Sequence, residues 1–425
     1  KYSATVRSSA AQATAAVYQC ACFQGEEIGM SLPSKYLPDL CTILSEQISN
    51  EEVSDSETRF AVADSLSDVL YYTYRSIVRT DRSVLDRFTT DIAHQVTDVL
   101  IRLILACLHK RARILETLQG SHGVVSGEDE QIRLTRTLEK EKDVLTPLVD
   151  SVGYTLKFLK EAFVPLFDEL VAPALGPFLT NKNDTRGQFA AICLFDDVVE
   201  HCGKSAAYKY SAQLAEGVIK AIGANANGGD SDVVQVALYG LAQIARHGPP
   251  TTLTAHGHAT IHTILPIAMI PKETVENRYI VENAASALAS MVLIGEAPLA
   301  TVAAEDKSDI VAAFVSQLPL REDEDEAKVC HDGFCDLIES GSAPIDLNSI
   351  LRIIGETMSH IREGEDLALP ETQFRFARIL RRLQKDVPKD TMEKVFHYLS
   401  DDAKGCIKSL FQEYKRHHSA SVVTP

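Results

Sequence analysis

Three carboxylates, Asp196, Asp197 and Glu200, fall within five residues of the string LFDDVVEHCG. Positions four apart share a helix face, so Asp196 and Glu200 could serve as an acid–base pair or hold a metal. Such chemistry needs companions, and the chain has neither a glycine-rich phosphate loop nor an H-E-x-x-H pair. Two other readings stay open: a solvated helix face, or an acidic patch for lysine- and arginine-rich partners. His256, His258 and His262 in AHGHATIH are a second candidate. Spacings of two and six do not bring all three to one helix face, so no metal site is assigned. Cys330, His331 and Cys335 fail in the same way. The run REDEDE (Arg321 to Glu326) reads as a helix first turn, where carboxylates favour the positive end of the dipole. HKRAR (His109 to Arg113) reads as a solvated helix end, or as a contact for an acidic partner or for the acidic loop that follows. No catalytic constellation survives, so neither an enzyme nor a cofactor is expected.

The elements that carry these residues are helical. Asp184 suits a helix N-cap and Gly203 a C′ position. Between them Ala191, Ile192, Leu194, Phe195, Val198, Val199 and Cys202 form an apolar arc, opposite Asp196, Asp197, Glu200 and His201. A lone helix cannot bury that arc, so neighbouring helices must. Similar amphipathic segments recur along all 425 residues, and none shows sustained alternation. Aromatics make up only 7% and tryptophan is absent, which predicts a core of small aliphatic side chains. A net charge of −17 disfavours nucleic acid and anionic membrane and favours basic partners. No amino-terminal h-region is present, and Arg102 interrupts Val99 to Leu108, so a soluble, non-secreted protein is expected. Nine scattered cysteines without a C-x-x-C pair imply buried thiols in a reducing compartment. The sequence opens at Lys1 within a helical pattern, as a fragment of a longer polypeptide would.

The second helices of successive pairs begin near Thr5, Ser56, Gln131, Thr185, Ser231, Thr274, Asp323, Glu371 and Asp401. Most steps lie near the roughly 40–47 residues of HEAT and armadillo repeats. The expected fold is therefore all-α: a single HEAT-repeat α-solenoid over 1–425, with about nine helix pairs. Residues 120–130 read as an acidic loop insertion and 416–425 as a flexible tail.

Four strings, LFDDVVEHCG (Leu194 to Gly203), YGLAQIARHG (Tyr239 to Gly248), TVENRYIVENAASALASMV (Thr274 to Val292) and LPLREDEDEAKVCHDGFCDLIES (Leu318 to Ser340), occur in that order. Together they resemble the carboxy-terminal HEAT repeats of the importin-beta (karyopherin-beta) superfamily, importin-5-like members above all. The resemblance implies a nuclear transport receptor, without enzyme activity, cofactor or metal. It implies basic protein cargo, phenylalanine-glycine nucleoporins and the GTPase Ran as partners, with Ran's main site outside this chain. A monomer shuttling between cytoplasm and nucleus follows, bound to neither nucleic acid nor membrane. The cargo candidates are Asp196, Asp197 and Glu200, then Asp232 and Gln235, then Asn277 and Asn283 at the corresponding places on neighbouring repeats. Such inner helices often carry an asparagine that binds cargo backbone, and Asn283 matches it best. The alternative is a HEAT scaffold or regulatory subunit without a transport role.

Overall fold

The structure is a computed structural model describing residues 4–23, 37, 39–44, 46–48, 56–80, 90–120, 128–225, 228–254, 256–272, 278–294, 299 and 302–420. Among the described residues there is no strand, and almost every segment is helical. The chain divides into two compact units, Lys1–Ala224 and Asn225–Pro425.

The first unit contains α1 (Ala4–Phe23), α2 (Ser56–Thr80), α3 (Thr90–Gly120), α4 (Glu128–Leu159), α5 (Thr185–His201) and α6 (Gly203–Asn225). Helix α1 packs on α2, α2 on α4 and α4 on α5, so the second helices of successive pairs stack in series. Helix α3 is long and apolar enough, by length and composition, to cross a membrane. Half of that stretch is buried within the fold, and Ala93, Leu100, Ile104 and Cys107 are among its core residues. The expected loop at 120–130 is shorter at its acidic end, because Glu128–Glu130 form the first turn of α4.

Between α4 and α5 the chain passes through short 3-10, α and π turns from Lys160 to Phe178. Pro165, Pro173 and Pro177 remove backbone donors there, so no continuous α ladder can form. Helix α5 is bounded as its sequence predicts. The Asp184 carboxylate accepts from the Gly187 N–H at 2.9 Å, and Gly203 turns the chain at φ 80°.

The second unit runs α7 (Ser231–His247), α8 (Gly257–Ala268), α9 (Arg278–Val292), α10 (Ala304–Gln317), α11 (Glu324–Ser340), α12 (Leu347–Glu363), α13 (Pro370–Asp386), α14 (Lys389–Tyr398) and α15 (Asp401–Ala420). Asp230, Asp323 and Asp346 cap α7, α11 and α12 with their carboxylates. Helix α9 packs on α7, α8, α10 and α11, and every residue from Val281 to Val292 is buried. Its alanines allow that all-round coverage, since a bulkier helix would hold its neighbours farther off. Helix α15 continues to Ala420, so the first residues of the expected tail are helical. Cys41, Cys107, Cys202, Cys330, Cys335 and Cys406 are buried free thiols.

Candidate functional site

Asp196, Asp197 and Glu200 lie on α5, but burial takes Asp196 and Asp197 away from both a solvated face and an open cargo surface. Asp196 is 3% and Asp197 9% exposed, and only Glu200 is half-open to solvent. Helix α4 covers the side that the isolated pattern assigned to water, because a second helix packs on the second helix before it. Lys157 of α4 places its Nζ 3.0 Å from Asp197 Oδ1. Gly153 makes room for that carboxylate, since a Cβ there would lie 2.6 Å from Asp197 Oδ2. His201 Nε2 stands 3.8 Å from Asp197 and 3.5 Å from Glu200. Burial, then the charges of Asp197 and Glu200, push the Asp196 carboxyl well above the usual carboxylate range. Asp197 in turn holds Lys157 firmly protonated.

An open acidic face lies beside this buried core. Helix α2 exposes Asp64 and Asp68, and α4 exposes Asp150. Tyr71 and Tyr72 of α2 and Tyr154 of α4 are half-buried; the Tyr71 ring lies 5.2 Å from Tyr154 and 5.1 Å from Tyr72. Arg75 donates to the Tyr71 hydroxyl, and Gln19 of α1 donates to the Tyr72 hydroxyl at 2.6 Å. Asp150 touches solvent but is crowded by protein. Its pKa is pushed up to about 6 by desolvation, then by Asp197 and Asp64, against the pull of Lys157. Desolvation, then Asp64, also raises Asp68. The face thus gathers carboxylates that repel one another, a condition that favours a basic ligand.

In the second unit, Asp232 and Gln235 are partly exposed on α7. Asn277 lies outside the described residues. Asn283 is 4% exposed, and its Nδ2 donates to the Gln235 backbone carbonyl at 3.3 Å. The amide expected to hold a cargo backbone holds that of the neighbouring repeat instead. The REDEDE run is likewise divided: Asp323 caps α11, while Glu326 is buried in a network across three second helices. Arg246 of α7 meets both Glu326 oxygens at 2.7 Å and donates to Ser286 and Ser290 of α9. Gln243 donates to Glu326 at 3.0 Å. Desolvation opposes ionisation, but Arg246 and the donating Ser286 hydroxyl and Gln243 amide hold Glu326 below the usual carboxylate range. HKRAR also turns partly inward, where Lys110 lies 2.9 Å from the buried Glu141 and Arg111 donates to the Leu138 carbonyl.

No family model matches the chain. Among solved structures, karyopherin Kap121p bound to the SUMO protease Ulp1p aligns at TM-score 0.54 and 14% identity, covering 94% of this chain and 37% of that one. Kap121p bound to RanGTP gives 0.54 at 13% identity, with 94% and 37% covered. Kap121p bound to Pho4p gives 0.53 at 15%, with 94% and 36% covered. The likeness is one of fold, a karyopherin-type helical solenoid. The chain spans little more than a third of the length of these karyopherins.

Within this solenoid, the open acidic residues are ones the sequence reading passed over. A signal was present: Asp64, Asp68 and Tyr71 repeat the i, i+4, i+7 stripe of Asp150, Tyr154 and Lys157 on the next second helix.

Proposed function

We propose that this chain is part of an importin-beta-type nuclear transport receptor, and that the acidic, tyrosine-bearing face of its first unit binds basic protein cargo. The observation that carries the reading is the juxtaposition of Asp64, Asp68 and Asp150 with Tyr71 and Tyr154 on successive second helices. Packed helices lie about 8–10 Å apart. Three residues of an extended peptide span about 10 Å, so basic side chains every third position would meet successive helices. The tyrosine rings suit guanidinium groups and the apolar stems of lysines. Glu200, at the edge of the buried Asp196–Asp197 cluster, extends the field, and Asp232 with Gln235 forms a separate polar patch on α7. The Kap121p structures with Ulp1p, Pho4p and RanGTP support protein cargo and Ran as partners. Nucleoporin binding and shuttling between cytoplasm and nucleus belong to the same reading.

The test is titration of a labelled lysine-rich peptide against the chain and its Asp64→Lys/Asp150→Lys variant. The variant is expected to bind at least about tenfold more weakly and with a shallower salt dependence. Helix content by circular dichroism is expected to stay the same, because both side chains are exposed. Equal affinity for both proteins would remove the face from the proposal and favour a scaffold without a cargo role.

A further inference from the structure

Helix α8 begins within AHGHATIH, and the fold separates its three histidines. His256 precedes the helix, with its carbonyl accepting from the Thr260 N–H at 2.9 Å. His258 and His262 are four residues apart on α8, with ring centroids 4.4 Å apart. The third group comes from elsewhere in the sequence: Asp306, in the first turn of α10. Its Oδ2 lies 3.8 Å from His258 Nε2 and 4.0 Å from His262 Nε2. One ligand atom from each residue lies within 4.8 Å of the other two.

We propose that His258, His262 and Asp306 form an exchangeable site for a divalent transition-metal ion, which fastens α8 to α10. Zinc bonds to imidazole nitrogen and carboxylate oxygen are about 2.0–2.2 Å, which places tetrahedral ligands about 3.3 Å apart. Closing the two Asp306–imidazole separations needs shifts of about 0.5–0.7 Å, and closing the imidazole pair at most about 1.5 Å, within the rotamer freedom of surface side chains. The imidazoles are 69% and 51% exposed and Asp306 20%, so the ion would keep at least one solvent ligand. Two imidazoles and one carboxylate suit Zn2+, Co2+, Ni2+ or Cu2+ better than Ca2+ or Mg2+, which prefer all-oxygen shells. Ala259 stands where the general-base glutamate of H-E-x-x-H would be, so the geometry provides binding rather than metal-assisted hydrolysis.

The ligands join the first helices of two consecutive pairs, and both helices pack on α9. Bound metal would therefore fix the spacing between neighbouring repeats at that point. His360, Glu363 and Glu365 also come together, but Arg321 donates to both oxygens of Glu365 and already supplies the counter-charge.

The experiment is a Co2+ titration of the full chain, followed by visible absorption and by Zn2+ displacement. One ion per chain with nitrogen and oxygen ligation is expected. His262→Ala and Asp306→Asn each weaken binding at least about tenfold, while His360→Ala leaves it unchanged. Zn2+ is expected to slow amide exchange in α8 and α10 of the wild type but not of His262→Ala. Absence of saturable binding, wild-type affinity in both ligand variants, or an intense thiolate-to-cobalt band marking cysteine ligation would overturn the site. Exchange unaffected by Zn2+ would overturn its role in joining the helices.

Discussion

Asp150 and Asp197 show two ways in which this fold treats a carboxylate. Its pKa is raised to about 6 in the folded chain. A raised acid stabilises the fold below its unfolded value and loses that contribution as pH rises through the folded value. Asp150→Asn should therefore raise the melting temperature above pH 7, by about 1–3 °C given the solvent contact, and the gain should vanish near pH 4. A gain independent of pH would mean that the desolvated charge of Asp150 and its repulsion from Asp197 and Asp64 are not its source. Asp197 shows the opposite arrangement, a carboxylate committed to an internal partner. Lys157→Met leaves it unpaired beside Asp196 and should cost about 2–4 kcal/mol in denaturant unfolding. Asp197→Asn in the same background should restore much of that loss. The DDVVE spacing was visible in the sequence, but its burial was not, because a helical wheel contains no neighbouring helix.

Helix elements were more legible than side-chain environments. Aspartate caps, glycine stops and proline breaks are local signals, and α5, α7, α11 and α12 start next to the residues that cap them. The REDEDE run was partly legible for the same reason, since first-turn acids belong at a helix N-terminus. Glu326 was not, because its role depends on Arg246, eighty residues away in sequence. Likewise, the histidine pair on α8 looked unsupported until α10 brought Asp306 to it. The Arg246–Glu326 network joins α7, α9 and α11, so Arg246→Met should be severe: about 3–5 kcal/mol, from a buried carboxylate left with only neutral donors. Adding Glu326→Leu should recover a large part of the loss. A double variant no better than Arg246→Met alone would place the cost in lost packing rather than in the uncompensated charge.

At the scale of the whole molecule, a net charge of −17 attracts any basic peptide, so weaker binding after charge reversal does not by itself locate a site. Local and bulk contributions separate if the same number of charges is reversed elsewhere. Glu116 and Glu216 are exposed on α3 and α6. Glu116→Lys/Glu216→Lys alters the net charge by the same amount as Asp64→Lys/Asp150→Lys while leaving the α2–α4 face intact. If cargo recognition is local, the first pair should change affinity by less than about threefold at physiological salt, where the Debye length is about 8 Å. The second pair should lose at least about tenfold at the same salt, because it reverses the carboxylates that the peptide would meet directly. Equal losses from both pairs, converging at high salt, would mean that the peptide responds to the overall field, and that the stripes on α2 and α4 hold no cargo of their own.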